Sequence, residues 1–182
     1  MECSVVMTMI GRDRPGLVEA LARLVADHGG NWLESRMSRL GGHFAGILRV
    51  SAPSGSQGAL IAALQGLESI GLKVAVHSGE VEQESRFQGL SRLDILGQDR
   101  PGIVRQIART LAQHGVNVEE LETECRSAAM SGETLFRARA ILGIPQGCDS
   151  RVLREELERI AADLIVEITL ADLSDAKGPN QA

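Results

Sequence analysis

The chain has 182 residues, of which 43% are hydrophobic and 24% charged, with a formal net charge of −5 and a pI near 5.4. That is the composition of one ordinary or two small soluble domains. The acidic balance excludes a surface built to displace counterions from a phosphate backbone, and with no Tyr, one Trp and three Phe the chain also lacks the aromatic platforms on which single-stranded bases stack.

In chain order, "CSVVMTMI" from Cys3 is short and rich in β-formers, which predicts a strand. No basic region precedes it and it is too short to cross a bilayer, so residence in the cytoplasm is expected. "GRDRPG" follows. Asp13 or Arg14 marks the point where strand yields to helix, with Asp as a good N-cap and Pro15 suited to the first helical position. Leu17, Leu21, Leu24, Val25 and His28 then recur at helical spacings up to Gly29-Gly30. After Asn31, "WLESRMSRL", Gly41-Gly42 and the alternating "HFAGILRVSA" read as a hairpin. "SQGALIAALQGLESIG" sets Leu60, Leu64 and Leu67 on one helical face, and "LKVAVHS" supplies a last strand.

The polar, acidic stretch "SGEVEQESRFQG" reads as a connector, after which the same order returns. "LSRLDIL" is a strand, a helix runs from about Pro101 to His114, "VNVEELETECR" and "ETLFRARAIL" form a hairpin, and "SRVLREELERIAADL" is a helix buried along Leu153, Leu157, Ile160 and Leu164 before the strand "IVEITL". Shifting the chain by 86 residues lays residues 11–34 on 97–120 with thirteen identities in 24 positions, the signature of an internal duplication. Phe44 meets Phe136 only at a shift of 92, so the second hairpin is six residues longer, around residues 127–132. The expected fold class is α+β: two ferredoxin-like β-α-β-β-α-β units, each a four-stranded antiparallel sheet with its helices on one face. The expected division is 1–79 for the first unit, 80–88 for a linker, 89–172 for the second unit and 173–182 for a flexible tail.

The chemistry concentrates at the duplicated "DRPG". A helix start offers free N–H groups and the positive end of the helix dipole, and so suits a small carboxylate. Asn31 and Asn117, each carrying an amide donor and acceptor at the start of a second strand, suit the carboxylate or ammonium of an amino acid. The same residues also serve as plain turn and cap residues in any fold of this kind. His28 and His114 at equivalent helix ends are read as caps rather than ligands. Glu80, Glu82 and Glu84 are read as solvated linker, and Trp32, Met37 and Met7 as core or interface. Cys3, Cys125 and Cys148 lack metal or disulfide spacing and are read as buried reduced thiols. Neither a metal nor a cofactor is expected. No nucleophile–base pair or carboxylate pair emerges, so an enzyme is not expected either.

D-R-P-G followed by an amphipathic helix and "HGVN", all of it twice, resembles the ACT domain, a ferredoxin-like regulatory module that senses amino acids and other small metabolites. As a pair with no attached enzyme, the chain is similar to the bacterial glycine cleavage system repressor family. That resemblance implies a ligand-responsive transcriptional regulator acting through a DNA-binding activator protein, without touching nucleic acid or membrane itself. It places an amino acid or related metabolite between two modules, at Gly11, Asp13, Arg14 and Gly16 with Asn31, and at Gly97, Asp99, Arg100 and Gly102 with Asn117. Asp13 and Asp99 depart from the Asn that some amino-acid-binding members carry, and Gly30 replaces the apolar residue before Asn31, which makes the two sites unequal. An exposed outer edge in each unit leaves room for a homodimer. Two readings stand beside the sensor: an ACT scaffold indifferent to ligand, and an acylphosphatase-like hydrolase, which shares the fold but whose Gly-rich loop around an Arg is missing here.

Overall fold

The computed structural model describes residues 2–77, 87–127 and 133–173. The chain divides into two compact units, Met1–Gln83 and Glu84–Ala182. The acidic centre of the connector, the tip of the second hairpin and the tail beyond Leu173 lie outside the described residues.

The first unit runs β1 (Glu2–Arg12), α1 (Leu17–Asp27), β2 (Asn31–Leu40), β3 (His43–Pro53), α2 (Gln57–Gln65), a 3-10 turn (Gly66–Ile70) and β4 (Leu72–His77). The strands form one antiparallel sheet in the order β2-β3-β1-β4. Val5, Met7 and Met9 on β1 and Leu48, Val50 and Ala52 on β3 alternate with more exposed neighbours, as a half-buried sheet requires. Their buried face joins Leu17, Leu21 and Val25 of α1 and Leu60 and Leu64 of α2 in a single core, so both helices cover the same face. Gly41 and Gly42 both adopt positive φ, the geometry of a two-residue hairpin turn.

The second unit repeats the plan with β5 (Phe87–Gln98), α3 (Ile103–Gln113), β6 (Asn117–Ser127), β7 (Thr134–Pro145), α4 (Ser150–Leu164) and β8 (Val166–Asp172), in the sheet order β6-β7-β5-β8. Its core is separate and again unites one sheet face with both helices. β5 opens at Phe87, within the stretch read as connector. The edge strands β2 and β6 bulge at equivalent places, between Trp32 and Glu34 and between Val118 and Glu120. Among the described residues no helix is long and apolar enough to cross a membrane.

Three local expectations need correction. Asp13 does not cap α1: the N-cap is Gly16, at φ +92, and the helix starts at Leu17 rather than at Pro15. The second copy does the same, with Gly102 at φ +100 and α3 starting at Ile103. A left-handed residue is cheap only for Gly, so the glycine of DRPG turns the chain and the proline ahead of it stiffens the approach. The cysteines are not buried thiols: Cys125 is exposed on an edge strand, and Cys3 and Cys148 are partly buried, all three free. His28 does cap its helix, its ring nitrogen 2.8 Å from the Leu24 carbonyl, but His114 reaches across to Glu156 of α4 at 3.0 Å instead.

Candidate functional site

Each DRPG loop is built between the end of a central strand and the first helix of its unit. Asp13 N–H donates to the Gly42 carbonyl at 3.0 Å, and Asp99 N–H to that of Thr134, the first residue of β7, at 2.8 Å, so both loops are pinned to the adjacent hairpin. Ala20 and Gln106 make the first helical bonds, back to Gly16 and Gly102. The three amides before each of them have no intrahelical partner, and no side chain caps either helix. A Cβ placed on Gly16 or Gly102 would meet nothing within 4 Å. Among the described residues, these two glycines therefore leave a helix N-terminus uncovered.

Gly11 and Gly97 have a different role. A Cβ on Gly11 would come within 2.5 Å of the Gly71 carbonyl, and one on Gly97 within 2.8 Å of the Val166 Cα. Both are needed for the close approach of the last strand to the central one, which is a packing role. Gly30 is likewise confined by packing, since its Cβ would lie 2.9 Å from the Ser51 carbonyl and 3.0 Å from that of Val25. Val116 occupies the equivalent place in the second unit and is buried there.

The charges of the two loops differ. Asp13 accepts from Arg39 Nε at 2.7 Å, and Arg14 donates to the Ile70 carbonyl at 2.8 Å, at the end of the 3-10 turn. With its carboxylate engaged by a guanidinium, Asp13 presents little net repulsion to an anion at the amides of α1. In the second unit the residue equivalent to Arg39 is Cys125 and the one equivalent to Arg12 is Gln98. Local desolvation, and after it the charge of Asp99 and a hydrogen bond to it, raise the Cys125 thiol above its ordinary range. Arg100 turns back to Gln98 at 3.3 Å. The first loop is thus cationic around a neutralised Asp, and in the second no Arg or Lys pairs with Asp99 among the described residues. This difference follows from residues 39 and 125, which the motif does not include.

Asn31 and Asn117 stand elsewhere. Asn31 pairs with Ser51, and Ser51 with Ser4, while the DRPG loop leaves β1 beyond Gly11. Ser4 and Gly11 are about 24 Å apart at the strand rise of ~3.4 Å per residue. Within one unit, loop and Asn therefore lie at opposite ends of the sheet, and a single unit offers a given ligand one or the other. Both Asn residues are exposed; the Asn117 amide donates to Glu119, and Asn31 makes no side-chain hydrogen bond among the described residues. No group of three or more His, Cys, Asp or Glu side chains gathers at metal-ligand spacing among the described residues.

An ACT-domain family model matches residues 4–77 and a second ACT-domain model residues 91–137. The solved structure of an unknown protein from Galdieria sulphuraria is similar at 30% identity, with a TM-score of 0.79, over 94% of this chain and 99% of that one. A structure described as that of a candidate glycine cleavage system transcriptional repressor is similar at 20% identity, with a TM-score of 0.68, over 94% of this chain and 98% of that one. No match is found among curated proteins.

Proposed function

The chain belongs to the ACT-domain family, with one domain in each half, and from that premise we propose that it is a regulatory protein that binds an amino acid or a related small metabolite and passes the signal on by protein contact. The observation that carries this reading is the pair of uncapped helix N-termini, each opened by a left-handed glycine with nothing above it among the described residues. Amides held in that geometry favour a carboxylate. Arg39 neutralises Asp13 and so removes the obstacle to an anion in the first loop. Asp99, without an Arg partner among the described residues, suits the ammonium of a zwitterion in the second. The loops and Asn31 and Asn117 are the proposed ligand-binding residues.

The likeness to the repressor structure supplies the finer proposal: the output is transcriptional, delivered through a DNA-binding activator, with glycine the first ligand to test. The net charge of −5 suits that indirect route. A ligand can act this way only by preferring one of two conformations of the protein.

The test is a thermal-shift panel of the twenty amino acids and small 2-keto acids on the intact chain. A ligand at about 100 times its dissociation constant adds about 2.7 kcal/mol, a rise of roughly 5 to 10 °C for a chain of this length. A hit establishes the sensor, and silence across the panel favours the ligand-indifferent scaffold. Unchanged affinity in an Asn31→Ala, Asn117→Ala double variant would remove those two residues from the site while leaving the sensor standing.

A further inference from the structure

The second unit contains a cavity of about 360 Å³ between the start of β5, the ends of β7 and β8 and the start of α4. Leu90, Ser91, Ile144, Cys148, Ser150 and Asp172 line it. It is remote from the loop at residues 97–102, which leaves β5 at the other end, and Asn117, on the far edge strand, does not line it.

Ser91 is the unusual residue. Its position on β5 faces the core and is 2% exposed, and the equivalent residue of the first unit is Val5, 1% exposed. Putting a hydroxyl where the duplicate has an isopropyl group costs stability unless the hydroxyl is bonded. Here Ser91 Oγ donates to Asp172 Oδ1 at 2.9 Å. A carboxylate is thereby fixed at the cavity mouth by a buried partner. Such breaks in local rules tend to mark functional positions.

The surrounding charges decide what this carboxylate can receive. Asp149 caps α4, its Oδ1 accepting from the amides of Arg151 and Val152, so the helix end holds a carboxylate of its own and leaves no room for an outside anion. Arg151 pairs with Glu155, Arg154 donates to the Leu170 carbonyl, and Arg92 pairs with Asp94. No Lys or Arg pairs with Asp172 among the described residues. Its remaining lone pairs and the Ser91 and Ser150 hydroxyl oxygens are acceptors for a donor-rich cation, while Ile144, on the same sheet face as Ser91, provides apolar wall. The volume falls in the range of small-ligand pockets.

We propose that the Ser91–Asp172 cavity is a binding site for a small aliphatic primary amine, with the ammonium on Asp172 and the carbon chain against Ile144. The site belongs to the second unit alone and is independent of the DRPG loops.

The test uses the intact ¹⁵N-labelled chain and three isosteric probes: isobutylamine, isobutanol and isobutyrate. The amine is expected to give saturable amide shifts centred on Leu90, Ser91, Ser150 and Asp172. It should bind about tenfold more tightly than the alcohol, the equivalent of one charge-assisted contact. Ser91→Val, which restores the residue of the first unit, and Asp172→Asn, which keeps the shape, should each abolish that preference. If the three probes shift these amides equally, or none does, or the preference for the amine survives in either folded variant, the assignment is overturned.

Discussion

A duplicated motif invites one explanation for all of its residues, yet the two glycines at its ends do different things. Gly11 is fixed by the backbone of Gly71 and Leu72, whereas Gly16 is fixed only by its φ of +92 and faces open space. Gly11→Ala must push β4 away and is expected to cost about 3 kcal/mol. Gly16→Ala pays only left-handed strain, about 1 to 2 kcal/mol, but should weaken the proposed ligand. Urea denaturation of the two variants, with and without the best thermal-shift ligand, separates the roles. Near-equal losses of stability would mean that the packing argument for Gly11 fails. The motif itself was plain in the sequence, but its cap was not: Asp before Pro-Gly looks like an N-cap, and Asp13 is instead drawn off by Arg39, a residue 26 positions away that only the hairpin brings alongside. The same pairing makes the loops unequal, because position 125 carries Cys where position 39 carries Arg.

Among the elements, order and type were legible because period-two and period-3.6 patterns alternate cleanly in both copies; the ends were less so. Pro15 and Pro101 looked like first helical residues and lie outside their helices. α2 gives way at Gly66 to a 3-10 turn that the leucine spacing does not distinguish from helix. α4 shows both kinds of terminus. Asp149 is a true side-chain cap, and Asp149→Ala should cost about 1 kcal/mol. At its other end Ile165 sits at φ 56, a β-branched residue in the left-handed region and 65% exposed, where the first unit has Gly71 at φ 82. Because its side chain contributes little burial, Ile165→Gly should relieve about 1 kcal/mol of strain despite the greater freedom of glycine in the unfolded chain. Opposite shifts of the denaturation midpoint are the expected result. A midpoint lowered by Ile165→Gly would show that the exposed isoleucine contributes contacts worth more than its strain.

For the whole molecule, the division into two similar halves was the most legible feature, since thirteen matches in one window leave little else to explain them. The Ser91–Asp172 cavity was not legible at all: nothing in either stretch announces that the first residue of one edge pairing and the end of β8 meet over a void. Each core draws its residues from one unit only. A fragment of residues 1–83 is therefore expected to fold alone, with a cooperative thermal transition and dispersed amide signals; a non-cooperative melt would contradict it. Two halves built on one plan also create a hazard while the chain is folding, because β5 repeats the inward alternation of β1, with Ser91, Leu93 and Ile95 at the places of Val5, Met7 and Met9, and pairing with the wrong sheet is an error characteristic of repeated domains. The buried serine opposes that error. A misplaced β5 would bring Ser91 to the site of Val5 and leave Asp172 behind, stranding a hydroxyl in an apolar interior at about 1 to 3 kcal/mol. The polar pair thus sets a cost on β5 in the first sheet that β1 does not carry, and so distinguishes the two copies of the strand.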